Sequence, residues 1–249
     1  MEQTEILVKS TLDGSLQPSL FFRAEGKRPV LVGLHTWSYD RFNQVKTMVP
    51  WAEKYNFHLL LPQFRGSNLI SNPQCREACA SALAKQDIID AIDYLVAEGI
   101  ADRDNIFLLG ASGGGHMALM MAGYRPEYFR AIGAFVPITD LKLWTEENTN
   151  YRQHVLACCS EDEEQMMLRS PITYADTIIK ANLKIFHGKY DPVVPVSQSI
   201  RLFEKLMQLD PKARVFLDIF DGGHQMDMNQ AMYWLLSQYA EKEQTQVTG

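Results

Sequence analysis

With 249 residues, of which 46% are hydrophobic and 22% charged, the chain can bury the core of one large globular domain. A formal net charge of -6 argues against a nucleic-acid partner, which favours a basic face. No apolar run approaches the roughly 20 residues of a membrane span, so no membrane partner is expected. The acidic start Met1–Glu5 lacks an apolar signal region, which gives a cytoplasmic expectation, although a secreted chain with its signal removed reads the same.

Taken in chain order, the stretch up to about Phe22 reads as antiparallel edge strands. Val30–His35 is a short continuous apolar run, the pattern of a parallel strand buried on both faces. A helix-like segment around Met48–Tyr55 leads into a second run, Phe57–Pro62. In Asp87–Glu98, residues Ile88, Ile89, Ala91, Ile92, Leu95 and Val96 recur with the 3.6-residue period of a core-facing helix. Ile106–Leu109 is a third run. Ala131–Val136, Leu183–His187 and Arg214–Phe220 continue the strand series, with helices at Gln198–Gln208 and Gln230–Tyr239. This alternation predicts a mostly parallel central sheet with helices on both faces, an α/β fold in a single domain spanning 1–249. Residues 139–180 interrupt the series as a small, acidic helical insertion. They are expected over the C-terminal edge of the sheet, as a lid or pocket wall or as a plain surface excursion.

Four cysteines occur, at 75, 79, 158 and 159. The Cys75-x-x-x-Cys79 spacing could place two thiols on one helical face, close enough to bridge. Neither pair has the spacing of a zinc site. Free, partly buried thiols are the favoured reading.

The chemistry concentrates after the Ile106–Leu109 strand, in Gly110-Ala111-Ser112-Gly113-Gly114, which runs directly into a helical stretch. A G-x-S-x-G turn between strand and helix strains the serine backbone and exposes its hydroxyl above the sheet. Ser112 is therefore the candidate nucleophile. A serine hydroxyl needs a neighbouring base, and the base needs an orienting acid. Of six histidines, His224 is the best base. It follows a strand within Asp221-Gly222-Gly223-His224, a turn able to carry an imidazole over the sheet edge. His58 and His154 have no such context, His35 belongs to a loop with another task, and His116 and His187 are expected to pack. Asp191, beyond the Leu183–His187 strand, is the candidate acid, with Asp221 and then Asp140 as rivals. The order Ser112, Asp191, His224 is the one expected of α/β-hydrolases. Two backbone N–H groups should meet the developing oxyanion. Gly113 supplies one. The loop His35-Thr36-Trp37 supplies the other, with Trp37 preferred over Thr36, and the Trp37 indole is a candidate substrate contact.

These motifs make the chain resemble an α/β-hydrolase of the prolyl-oligopeptidase-like (peptidase family S9-like) serine esterase branch. The resemblance rests on Gly110–Gly114, Phe64-Arg65-Gly66-Ser67, Arg169-Ser170-Pro171-Ile172, the 187–195 segment with His187, Gly188, Asp191, Val194 and Pro195, and Gly222-Gly223-His224. It implies Ser112 as nucleophile, Asp191 as acid, His224 as base, and structural roles for Arg65 and Arg169. Two departures stand out: Thr36 where the family's oxyanion loop has glycine, and no N-terminal propeller in the sequence. The expected function is a serine carboxylesterase acting on small or medium acyl esters, carbohydrate-linked esters included. It would need neither metal nor organic cofactor, and its partner would be a small-molecule ester. The alternatives are an S9-like peptidase acting on short peptides and a non-catalytic binding protein on the same fold. The sequence carries no signal for an oligomeric state.

Overall fold

A computed structural model describes residues 1–247, with side chains described through Tyr239; residues 248–249 of the expected domain lie outside it. The strands are β1 (Glu2–Lys9), β2 (Leu16–Arg23), β3 (Arg28–Leu34), β4 (His58–Pro62), β5 (Ala101–Ala111), β6 (Ala131–Phe135), β7 (Leu183–Gly188) and β8 (Val215–Phe220). They form an eight-stranded sheet in the order β1-β2-β4-β3-β5-β6-β7-β8. β1 pairs antiparallel with β2 and β2 with β4, and the remaining neighbours are parallel. The antiparallel N-terminal edge and the parallel interior agree with the sequence reading.

The apolar runs behave as strands buried on both faces. Val30, Val32, Leu60, Ile106 and Leu108 enter one core. Leu31, Leu59, Leu61, Phe107 and Leu109, their chain neighbours, enter the other. This is the two-residue alternation of a pleated strand. Helices α2 (Ala82–Ala97), α3 (Gly113–Tyr124), α7 (Ala175–Ile178) and α8 (Ser197–Leu209) cover the first core. Helices α1 (Val45–Tyr55) and α9 (Met228–Val247) cover the second.

α2 begins five residues before the Asp87 start read from periodicity. Ser81 caps it, its hydroxyl accepting the Ala84 N–H at 3.1 Å, and a side-chain cap satisfies a backbone donor that periodicity does not register. Residues 139–180 fold as the short helices α4 (Leu141–Glu147), α5 (Thr149–Cys158), α6 (Glu163–Leu168) and α7. One face of this insertion is packed and the other is exposed. Ile138, Leu141, Trp144, Val155, Cys158 and Met166 form a third cluster with Trp37, Cys79 and Val194.

The cysteines are free thiols. Cys75 and Cys79 do not share a helical face, because their segment is a series of turns in which Cys79 and Ala80 take positive φ (46° and 54°). Cys79 instead meets the thiols of Cys158 and Cys159 from α5 and its C-terminus. Hydrogen bonding to these thiols, with burial, raises its pKa well above the ordinary value. Among the described residues, no helix is long and apolar enough to cross a membrane.

Candidate active site

Ser112 stands alone between the last residue of β5 and the first of α3. Its φ of 56° and ψ of -120° put an L-residue in a region that costs on the order of 1–3 kcal/mol, held only because both flanking elements are fixed. The Ser112 N–H donates to the Phe135 carbonyl at 2.9 Å, and its own carbonyl accepts from the His116 N–H at 2.8 Å. The residue is nonetheless partly exposed. Beside it, Gly113 packs against the oxyanion-loop candidate. A Cβ on Gly113 would collide with the backbone nitrogen and Cα of Trp37. Only glycine lets the two main chains approach this closely, so the Gly113 and Trp37 amides share one corner beside the serine.

The 188–194 and 221–224 loops are joined by an equally close approach. A Cβ on Gly188 would strike the Gly223 carbonyl, and the Tyr190 N–H donates to the Gly222 carbonyl at 2.9 Å. Across this junction His224 Nδ1 lies 2.7 Å from Asp191 Oδ2. The other oxygen, Oδ1, accepts the N–H groups of Val193 at 2.8 Å and Val194 at 2.9 Å. The Asp191 side chain is fully buried and that of His224 is 22% exposed. Burial alone would raise the Asp191 pKa. The neighbouring His187 imidazole and hydrogen bonds from His224 and the Val194 backbone outweigh it and hold the carboxyl well below the usual carboxylate range. An ionised Asp191 requires the proton on His224 Nδ1, which leaves Nε2 as the ring nitrogen available to a hydroxyl.

A cavity of about 410 Å³ joins these parts, lined by Thr36, Trp37, Tyr39, Ser112, Tyr151, His224 and Gln225 among others. A larger cavity of about 590 Å³ lies on the insertion, lined by residues such as Lys142, Glu146, Glu163 and Met167; it contains the weakest rival acid, Asp140, but not Ser112, Asp191, His224, Gly113 or Trp37. The smaller cavity is the one with the chemistry. Tyr151, from α5, reaches it from the insertion, so that part of 139–180 walls the cavity. Its ring stacks on Trp144 with centroids 4.9 Å apart, and Trp144 meets Trp37 edge-on at 4.9 Å. Among the described residues, no group of three or more His, Cys, Asp or Glu side chains could hold a metal ion.

The family model of the prolyl oligopeptidase family matches residues 43–241. The chain belongs to the prolyl oligopeptidase family. Acylamino-acid-releasing enzyme 2 of Oryza sativa subsp. japonica is 23% identical over 243 residues, covering 91% of this chain and 30% of that enzyme. Among solved structures, the Pyrococcus horikoshii acylaminoacyl peptidase aligns with a TM-score of 0.71 at 22% identity, over 90% of this chain and 37% of its own. A puromycin-hydrolyzing peptidase of Mycobacterium tuberculosis aligns at 0.73 and 22% identity, over 96% and 39%. This prolyl oligopeptidase family chain therefore has the α/β-hydrolase fold and spans about a third of the length of these relatives.

Four other histidines and the rival acid Asp140 have partners elsewhere. Buried His116 directs Nε2 to the Arg169 carbonyl at 2.7 Å, the structural bond expected for it. His35 spans the Thr36 and Gln63 carbonyls at 3.0 and 2.9 Å and stacks on Phe64, bracing the loop that carries Trp37. His58 Nδ1 accepts from the Ala24 N–H and His154 Nδ1 from the Ile70 N–H. Asp140, the weakest rival acid, caps α4 by accepting the Leu143 N–H at 3.1 Å. Arg65 is buried, with Nε 2.6 Å from Asp87 and further bonds to Asp13 and Glu77. Arg169 donates to the Ala78 and Arg76 carbonyls. Both arginines thus have the structural settings that the resemblance implied. Sequence reasoning missed Tyr151, which has no motif of its own. His187, read as packed beside its strand, is fully buried there, with Nε2 3.4 Å from Asp191 Oδ2.

Proposed function

We propose that this chain is a serine hydrolase that cleaves the amide bonds of short peptides through an acyl-enzyme on Ser112. The observation that carries this reading is the 2.7 Å bond between Asp191 and His224, with His224 lining the same cavity as a strained, partly exposed Ser112. The ester preference expected from the sequence gives way here. The two solved structures carry peptidase names and the Oryza sativa relative is named an acylamino-acid-releasing enzyme, and the sequence argument for esters rested on a missing propeller, which a stretch spanning a third of its relatives cannot weigh.

In this reading His224 Nε2 removes the Ser112 proton as the oxygen attacks the scissile carbonyl. The Gly113 and Trp37 N–H groups meet the oxyanion of the tetrahedral intermediate. Asp191 stays ionised, keeps His224 in the tautomer with its proton on Nδ1, and stabilises the imidazolium once it forms. The imidazolium then gives its proton to the leaving amine as the C–N bond breaks. A water, deprotonated by His224, releases the acid and restores Ser112. Trp37 and Tyr151 give the cavity aromatic walls for an apolar side chain.

The test pairs a fluorophosphonate probe with a substrate panel. Labelling should occur on Ser112 and disappear in Ser112→Ala. Acylaminoacyl and aminoacyl p-nitroanilides should be turned over with an acyl-enzyme burst on the matching p-nitrophenyl esters. Labelling elsewhere would remove Ser112 from the mechanism, and turnover confined to esters would restore the esterase reading.

A further inference from the structure

His187 is a second, buried imidazole beside the candidate acid, close to the same carboxylate oxygen that His224 binds. It lies in β7, directly before Gly188, with its side chain fully enclosed. Its Nε2 is 2.8 Å from the Val194 carbonyl and 3.4 Å from Asp191 Oδ2. Its Nδ1 is 2.7 Å from the hydroxyl of Ser199, a buried residue of α8.

A carbonyl oxygen can only accept, so the contact with Val194 requires a proton on Nε2. In the neutral ring Nδ1 is then the acceptor, and the Ser199 hydroxyl donates to it. This assigns the tautomer from geometry. The Nε2–H that it leaves is donated to the Val194 carbonyl, and Nε2 also lies 3.4 Å from Asp191 Oδ2, the same oxygen that binds His224. A buried carboxylate must have its lone pairs filled. Here Val193 and Val194 amides fill Oδ1, and two imidazoles flank Oδ2. His187 also grips the far end of the 188–194 turn through Val194, so one ring fixes both the carboxylate and the loop that carries it.

We propose that His187 is a positioning residue for the Asp191–His224 pair, with Ser199 setting its tautomer. This inference rests on the proposed function of Ser112, Asp191 and His224. His187 does not reach substrate. It holds Asp191 Oδ2 in line with His224 Nδ1, so its loss should act on the chemical step and leave substrate binding alone.

The test uses the whole chain and a substrate on which Ser112→Ala and Asp191→Asn are both measured. His187→Leu keeps bulk and removes both ring nitrogens. It should lower kcat about 10- to 100-fold, the loss expected when one hydrogen bond to a charged group fails in the transition state, with KM unchanged. His187→Gln, which keeps an N–H donor for the Val194 carbonyl beside Asp191, should recover most of that loss. Ser199→Ala should lower kcat several-fold in the same direction. The far-downfield proton signal of the His224 Nδ1–H should broaden or vanish in His187→Leu and persist in His187→Gln. If His187→Leu melts like the parent and keeps kcat within twofold, or if the effect falls on KM alone, the positioning role is wrong. If His187→Leu fails to fold, unchanged kcat and an unchanged proton signal in Ser199→Ala refute it instead. Full activity of Ser112→Ala would overturn the proposed function itself, a result distinct from any of these.

Discussion

Gly113 and Trp37 touch main chain to main chain, so closely that no side chain fits on Gly113. The contact joins the start of α3 to the loop after β3, and it brings together two amides that both candidate oxyanion roles require. Gly113→Ala should therefore force these amides apart, lowering Tm as well as kcat, because its methyl group would meet main chain. Displacing one such donor costs on the order of 10²-fold in kcat. Steady-state kinetics beside a thermal melt would check it, and an undiminished kcat would remove the corner from the mechanism.

Asp191 offers a sharper test, because its pairing with His224 is specific in direction. Asp191→Asn keeps the shape but presents an amide where a carboxylate orients Nδ1–H. A kcat loss of about 10⁴-fold is expected when the histidine is held in the wrong tautomer. Asp221→Asn, in the same turn as His224, should stay near the parent. The reverse ranking of the two variants would reassign the acid.

Tyr151 tests whether the insertion reads substrate. It reaches the cavity from α5 and stacks on Trp144. Tyr151→Ala opens that wall, so KM for substrates with bulky apolar side chains should rise about tenfold, while kcat changes little. Removing contacts made equally in ground and transition states has this signature. Unchanged KM across a side-chain series would place recognition elsewhere.

The buried histidines set an acid limit on stability. Burial pushes His116 down to about 4, and burial also lowers His35 and His58. The unfolded chain takes up these protons near pH 6.5, while the folded chain resists. Their contribution is thus complete above about pH 6.5 and is lost as pH falls from there toward the folded value. Each unit of difference corresponds to about 1.4 kcal/mol. Tm should fall steeply between about pH 6.5 and pH 4, and His116→Gln should flatten that slope. An identical slope in the variant would show that other groups govern it.

Arg65 is expected to matter for stability alone. Its guanidinium meets Asp87 with both side chains 1% exposed. Burial raises the Asp87 pKa, and the hydrogen bond to Arg65 works against that rise. Arg65→Ala leaves a buried carboxylate unpaired, which costs about 3–5 kcal/mol. Urea denaturation should show this loss, while kcat of the remaining folded protein stays near the parent. A selective loss of kcat would argue for a role nearer the cavity.

The sheet and its serine turn were legible from residues 30–136 because strand burial and the Gly110–Gly114 turn are local patterns. Each apolar run falls on a strand, overrunning it by at most one residue, and alternate residues of the central strands divide between the two cores. The order Ser112, Asp191, His224 was equally legible, since each candidate follows a strand. Contacts between segments distant in the chain were not. Cys75 and Cys79 were read against each other, yet Cys79 meets Cys158 and Cys159. Asp191 was preferred to Asp221 on its place after a strand, but the 2.7 Å bond that joins it to His224 lies across the junction where Gly188 meets Gly223. His187 was seen only as the end of a strand, and its place between Val194, Ser199 and Asp191 follows from the packing of α8.

The sequence by itself determined which residues stand at strand ends and which segments are buried, because periodicity and turn chemistry act over a few neighbours. The tertiary structure alone decided which strand ends face one another, which loops touch, and that Tyr151 walls the cavity while Trp144 packs behind it. Those contacts depend on strand order and on the closure of long connections, and no local pattern encodes either.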